Sequence, residues 1–132
     1  MIDVSCALIT GHNGKILAAQ RSELMRLPLK WEFPGGKVEG NETAEGCIIR
    51  ELKEELGVEV KILEAMVPAV HDNGIQQIRL IPFICIITSG EIRLAEHEAY
   101  LWLSPADLND LDWASADIPV VQQYLNSLSG TI

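Results

Sequence analysis

Apolar and polar positions along the chain sort into a series of short β-like runs and two stretches of helical period. Ile2 to Thr10 reads as a strand, and His12-Asn13-Gly14 supplies turn residues that return the chain into a second strand, Lys15 to Gln20, as a hairpin. Arg21 to Lys30 has no clear period and leads into Trp31-Glu32-Phe33-Pro34-Gly35-Gly36, where a proline and two glycines predict an irregular loop. From Thr43 to Leu56 the period is helical, with Thr43 placed to cap the start and Gly57 to stop the end. Val58 to Val70 and Ile75 to Thr88 are rich in branched residues and flank the turn-like Asp72-Asn73-Gly74, which predicts two more strands. Ile92 to Leu94 and Tyr100 to Leu103 are shorter strand candidates. Pro105 to Leu111 suits a short helix, and Val120 to Leu128, with Val120, Val121, Tyr124, Leu125 and Leu128 apolar, suits a terminal amphipathic one. No repeat, linker or low-complexity segment interrupts the series, so the expectation is one domain over residues 1–132, strands interleaved with helices.

Composition agrees with a packed core, since 48% of the residues are hydrophobic and 22% charged. The formal net charge of −9 disfavours a passive electrostatic grip on polymeric nucleic acid. A small polyanion can still bind where divalent cations sit between it and the protein. Cys6, Cys47 and Cys85 stand far apart in apolar surroundings, without a C-x-x-C pair, and are expected to be buried reduced thiols. Met1-Ile2-Asp3 does not begin a signal peptide, and the run Leu80 to Ile87 is interrupted by Pro82 and too short to span a bilayer. A cytoplasmic protein with no membrane partner is expected, as a monomer or a homodimer.

Chemistry concentrates in the first helix. At about 100° per residue, Glu51, Glu54 and Glu55 share an arc of about 100°, with Ile48, Ile49, Leu52 and Leu56 in the neighbouring arc to pin the helix to a core. Like charges three and four residues apart repel, and more so where water is scarce. Hard divalent cations with oxygen ligands offset that repulsion, magnesium typically taking a few carboxylates, some waters and substrate phosphates. Taken alone, Arg50-Glu51-Leu52-Lys53-Glu54-Glu55 also suits an ordinary solvated helix with Arg50 paired to Glu54.

The spacing upstream separates these readings. Gly36, five residues, Glu42, seven residues, then Arg50-Glu51-Leu52-Lys53-Glu54-Glu55-Leu56-Gly57-Val58 matches every fixed position of the box G-x5-E-x7-R-E-U-x-E-E-x-G-U, U being aliphatic. On this box the chain resembles the Nudix hydrolases. Through Trp31-Glu32-Phe33-Pro34-Gly35-Gly36-Lys37-Val38-Glu39 it is similar to their MutT-like branch. The resemblance implies an α+β fold, an α/β/α sandwich with a mixed central sheet, on which the box forms a loop–helix–loop holding Mg2+ or Mn2+. It implies metal ligation by Glu51, Glu54, Glu55, the Gly35 carbonyl and, from a later loop, Glu96. Arg50 would orient Glu51, while Glu42 anchors the loop and Gly36 and Gly57 shape the box. Glu51, or else Glu54, would take the proton of a metal-activated water attacking a phosphorus, which from a triphosphate yields the monophosphate and pyrophosphate. Arg21 stands where relatives carry a phosphate-binding arginine. His97, next to Glu96, is expected to be an exposed residue without a chemical role.

Base choice should lie outside the box. Phe33 is a candidate wall of the base pocket, or plain core. Ser115-Ala116-Asp117-Ile118-Pro119 precedes the last helix where the MutT branch has an asparagine that contacts an oxidised purine. An ionised aspartate only accepts hydrogen bonds, whereas an amide also donates. Together with Glu96-His97-Glu98 and Trp102-Leu103-Ser104-Pro105, this segment resembles more closely the CTP pyrophosphohydrolases. Asp117 accepting from a cytosine amine fits that substrate, and capping the final helix is its alternative role. Other readings are an 8-oxo-dGTP-cleansing diphosphatase, a hydrolase of another nucleoside diphosphate derivative, and a Nudix module that binds a nucleotide without turnover.

Overall fold

The computed structural model describes residues 1–128. Strand β1 (Ile2–Ile9) runs parallel to the long β7 (Gln77–Ser89), from Ile2 opposite Ile78 to Ile9 opposite Cys85. β4 (Gly35–Lys37) pairs antiparallel with the other edge of β1, while β5 (Glu59–Ala65) and β6 (Ala69–Asp72) follow one another along the far edge of β7. A second, antiparallel sheet runs in the order β3 (Trp31–Glu32), β2 (Ile16–Gln20), β8 (Ala99–Leu103). Helix α1 (Ala44–Leu56) covers one side and α2 (Ile118–Leu128) the other.

β1 shows why this layering suits the sequence. Cys6 and Leu8 join Ile16, Leu80, Val120 and Tyr124 in one core, while Ala7 and Ile9 join Leu17, Ile48, Leu52 and Leu56 in the other. A strand covered on both faces has no polar side, which accounts for the continuous apolar stretch from Cys6 to Ile9. The architecture is the expected α/β/α sandwich on a mixed sheet. The three cysteines are buried free thiols, and no helix among the described residues is long and apolar enough to cross a membrane. The expected domain ends at residue 132, and residues 129–132 lie outside the described ones.

Several local expectations are overturned. β1 and β2 do not form a hairpin: only Thr10 bridges to Ile16 around the 12–14 turn, and the two strands enter different sheets. Both are buried through most of their length, and each pairs along its whole length elsewhere, β1 with β7 and β2 with β8. The 31–36 segment is not wholly irregular, because Trp31–Glu32 and Gly35–Lys37 pair as strands. Glycine admits the second pairing, since a Cβ at Gly35 would lie 1.9 Å from the Ser5 carbonyl oxygen. The predicted strand Val58 to Val70 breaks around Pro68 into β5 and β6. Ile92 to Leu94 is not a strand; Arg93 and Ala95 instead donate their N–H groups to the Leu56 and Glu55 carbonyls at the end of α1. Pro105–Asp110 is a 3-10 helix.

Candidate active site

Helix α1 is set by its ends and its buried stripe. Thr43 Oγ1 accepts the Gly46 N–H at 3.0 Å, and Gly57, at φ 71°, donates its N–H to the Lys53 carbonyl. Ile48, Leu52 and Leu56, four residues apart, are fully buried. Ile49 does not share that burial as expected and is 41% exposed, standing at the edge of the stripe about 60° of helix rotation from its middle residue, Leu52.

The neighbouring arc carries the carboxylates, ordered by Arg50. Its guanidinium donates to both Glu42 oxygens at 2.6 and 2.8 Å, to Glu51 Oε1 at 2.9 Å and to Glu54 Oε2 at 3.1 Å. Glu42 also accepts the Glu39 N–H, and the guanidinium, helped by that bond, holds its carboxyl down to about 2. Glu42 most, and Glu51 with it, raise Arg50 above its ordinary value. The loop before α1 is thus tied to the helix, and the Arg50–Glu54 pair of an ordinary solvated helix is present within the same fork.

Glu51 and Glu55 are mostly covered, their side chains 16% and 17% exposed, while Glu54 is 60% exposed. Burial first, and then the adjacent Glu51 carboxyl, push Glu55 up to about 9. Gly36 faces this pair, and a Cβ there would lie 2.4 Å from the Glu51 carboxyl carbon. Among the described residues no three acidic, histidine or cysteine side chains stand as a finished metal cage, Arg50 holding Glu51 and Glu54. The donor set nonetheless fits a hard divalent cation: all are oxygens, and two crowded carboxyls ionise together only beside positive charge. Glu96 is exposed, and its charge acts on Glu55.

Beside this face opens a cleft of about 480 Å³, lined by Arg21, Glu32, Phe33, Gly35, Leu80 and Asp117 among others. Phe33 is 2% exposed and packs on Trp113 with ring centroids 4.7 Å apart, so it is both core and cleft wall. Asp117 is 6% exposed and does not cap α2; its Oδ2 accepts the Phe33 N–H at 2.8 Å. Burial, above all, pushes its carboxyl up to about 8, so the neutral acid prevails at neutral pH. A neutral carboxyl donates as well as accepts, whereas the ionised form expected from the sequence only accepts. A larger cleft of about 750 Å³, between the 12–14 turn, β7 and Trp102, holds none of the predicted site residues.

Arg21 reaches the cleft already partnered, donating to Glu32 Oε1 at 2.7 Å and to the Arg26 carbonyl. Glu32 Oε2 bonds His97 Nε2 at 2.8 Å. His97, expected to be exposed, is buried. Sequence reasoning missed both Glu32 and His97, as well as the Trp113 support of Phe33. The contacts join residues 11 and 65 positions apart, and an isolated histidine carries no local pattern that forecasts burial.

The fold agrees with the comparisons. The NUDIX domain family matches residues 1–124. A CTP pyrophosphohydrolase of Escherichia coli is 35% identical over 125 residues, 95% of this chain and 92% of the relative. The solution structure of the E. coli ORF135 protein superimposes with a TM-score of 0.85 at 34% identity, covering 98% of this chain and 91% of that one. That of MutT, a Nudix family hydrolase from Staphylococcus aureus, gives 0.76 at 42% identity, with 96% of each chain covered. Bearing the whole box on the helix and loops where its side chains converge, and matched by the domain over nearly its full length, the chain belongs to the Nudix hydrolase family.

Proposed function

We propose that residues 1–132 act as one domain, a Mg2+-dependent nucleoside triphosphate pyrophosphohydrolase. It releases a nucleoside monophosphate and pyrophosphate from CTP, dCTP or modified nucleotides, with Mn2+ able to replace Mg2+. One observation carries this reading: the Arg50-ordered Glu51 carboxyl lies against Gly36, and the adjacent Gly35 lines a cleft with an arginine and an aromatic wall.

Glu51, Glu54, Glu55, Glu96 and the Gly35 carbonyl are the proposed cation ligands. A divalent cation bound there supplies charge stabilisation at the phosphates and a more acidic water. Glu51 is the first candidate to take that water's proton and Glu54 the second; Arg50 already fixes the orientation of Glu51. Arg21, held by Glu32, presents its fork to the polyphosphate. The base lies against Phe33, which Trp113 keeps from turning. Asp117 reads the base edge, and a neutral carboxyl answers cytosine well, accepting from the N4 amine while donating to the ring nitrogen beside it. The CTP pyrophosphohydrolase relative supports that assignment.

The same neutrality favours one alternative, because a neutral acid resembles the amide used for oxidised guanine in the MutT branch more than an ionised carboxylate would. The deciding experiment measures kcat/KM with Mg2+ for CTP, dCTP, 5-methyl-dCTP and 8-oxo-dGTP, identifying pyrophosphate among the products. The cytosine nucleotides should lead by about 10-fold or more. A lead for 8-oxo-dGTP would install the alternative, and no pyrophosphate from any of the four would overturn the triphosphate reading.

A further inference from the structure

His97 Nδ1 is the one buried side-chain nitrogen or oxygen among the described residues without a hydrogen-bond partner. It faces Glu55 Oε2 at 3.8 Å, too far for a bond, while Nε2 on the other side of the ring bonds Glu32 at 2.8 Å. Two backbone bonds fix the segment that carries the ring. Ala95 donates to the Glu55 carbonyl at 3.1 Å and Glu98 to the Gln20 carbonyl at 2.8 Å, so the imidazole is braced between α1 and β2. Unpartnered buried polar atoms are rare in folded proteins and call for a reason.

We propose that His97 is a positioning residue for Glu55: its ring, anchored on Glu32, holds the Glu55 carboxyl at the distance and angle from Glu51 that cation binding requires. The inference rests on the metal role proposed above for Glu55. It also places Glu32 between the two halves of the site, one carboxyl oxygen orienting Arg21 and the other orienting His97. The path Arg21–Glu32–His97–Glu55 thereby ties the phosphate side of the cleft to the cation side through side chains alone. Groups just behind metal ligands set ligand orientation, and their loss typically lowers metal affinity or activity about 10- to 100-fold.

The experiment titrates Mn2+ alone into the free protein, read by electron paramagnetic resonance, and compares wild type with Glu55→Gln, His97→Ala, His97→Gln and His97→Asn. Thermal unfolding of each variant establishes that it is folded. Glutamine reaches the Nε2 position and keeps the Glu32 bond; asparagine keeps a polar group near Nδ1. His97→Ala and His97→Gln should each weaken Mn2+ binding about 10-fold, His97→Asn should restore most of the loss, and kcat should fall further than KM rises. Glu55→Gln losing Mn2+ while His97→Ala and His97→Gln, both folded, bind it as wild type would overturn the positioning role and leave the metal site standing. Rescue by glutamine rather than asparagine would overturn it too, by making Glu32 the partner that matters. Unchanged Mn2+ binding in Glu55→Gln would remove the metal site and this inference together.

Discussion

Replacing Asp117 with asparagine should stabilise the protein, and by an amount that grows with pH. In the folded chain this carboxyl is buried against the Phe33 N–H and ionises near 8, against 3.8 for an ordinary aspartate. Across that window this group binds more protons in the folded state than in the unfolded one, so its contribution to stability is full at and below about pH 4 and is lost as pH rises towards 8. A tenfold change in an ionisation constant corresponds to about 1.4 kcal/mol, so the rise from 3.8 to about 8 sets a ceiling of about 5 to 6 kcal/mol. Relaxation around the ionised form lowers this, and we expect about 2 to 4 kcal/mol lost at pH 8. Asparagine at this position would keep the size and the acceptor for Phe33 but cannot ionise. Urea unfolding of both forms without metal, at pH 5, 6, 7 and 8, gives the difference curve, in which groups shared by the two proteins cancel. The gap in favour of Asp117→Asn should open steadily with pH. Parallel profiles, or a variant less stable than wild type at pH 8, would refute a neutral buried acid.

Adjacent glycines should fail differently. Gly35→Ala drives a Cβ into the Ser5 backbone and should destabilise by about 2 kcal/mol or more, whereas Gly36→Ala meets only the end of the Glu51 side chain, so urea stability should stay within about 1 kcal/mol while turnover drops at least about 10-fold. Equal stability losses would contradict that division. Glu54→Gln and Glu55→Gln should each lower turnover about 100-fold or more with the fold intact; near-normal pyrophosphate release by either would count against the carboxylate site. Arg21→Ala should reduce kcat/KM by a similar factor for every triphosphate, since a phosphate contact carries no base information. Losses that differ strongly between cytosine and guanine nucleotides would place Arg21 beside the base.

What could be read from the chain followed the range of the interactions. Helix α1, its Thr43 cap, its Gly57 stop and the shared arc of Glu51, Glu54 and Glu55 depend on neighbours within four residues, and all are present. The Asp72-Asn73-Gly74 turn and the last helix were likewise local. The β1–β2 hairpin failed because strand pairing was decided by β7 and β8, many residues away, through burial that local pattern cannot weigh. Ile92 to Leu94 looked like a strand because it is branched and apolar, yet its backbone serves the carbonyl end of α1. In the site, the charge state of Asp117 and the burial of His97 arise from packing between distant elements; residue type and spacing pointed to neither.

The central claim, that one face of α1 performs divalent-metal hydrolysis of a nucleoside triphosphate, is tested most directly by pyrophosphate release from dCTP as Mg2+ is titrated. Wild type would be compared with a variant carrying Glu51→Gln, Glu54→Gln and Glu55→Gln together. Wild-type release should rise from nothing with Mg2+ and vanish when the ion is chelated, and the triple variant, held by the same cap and buried stripe, should fold but release none. Release that persists under chelation, or that the folded triple variant sustains at the wild-type rate, would contradict the account.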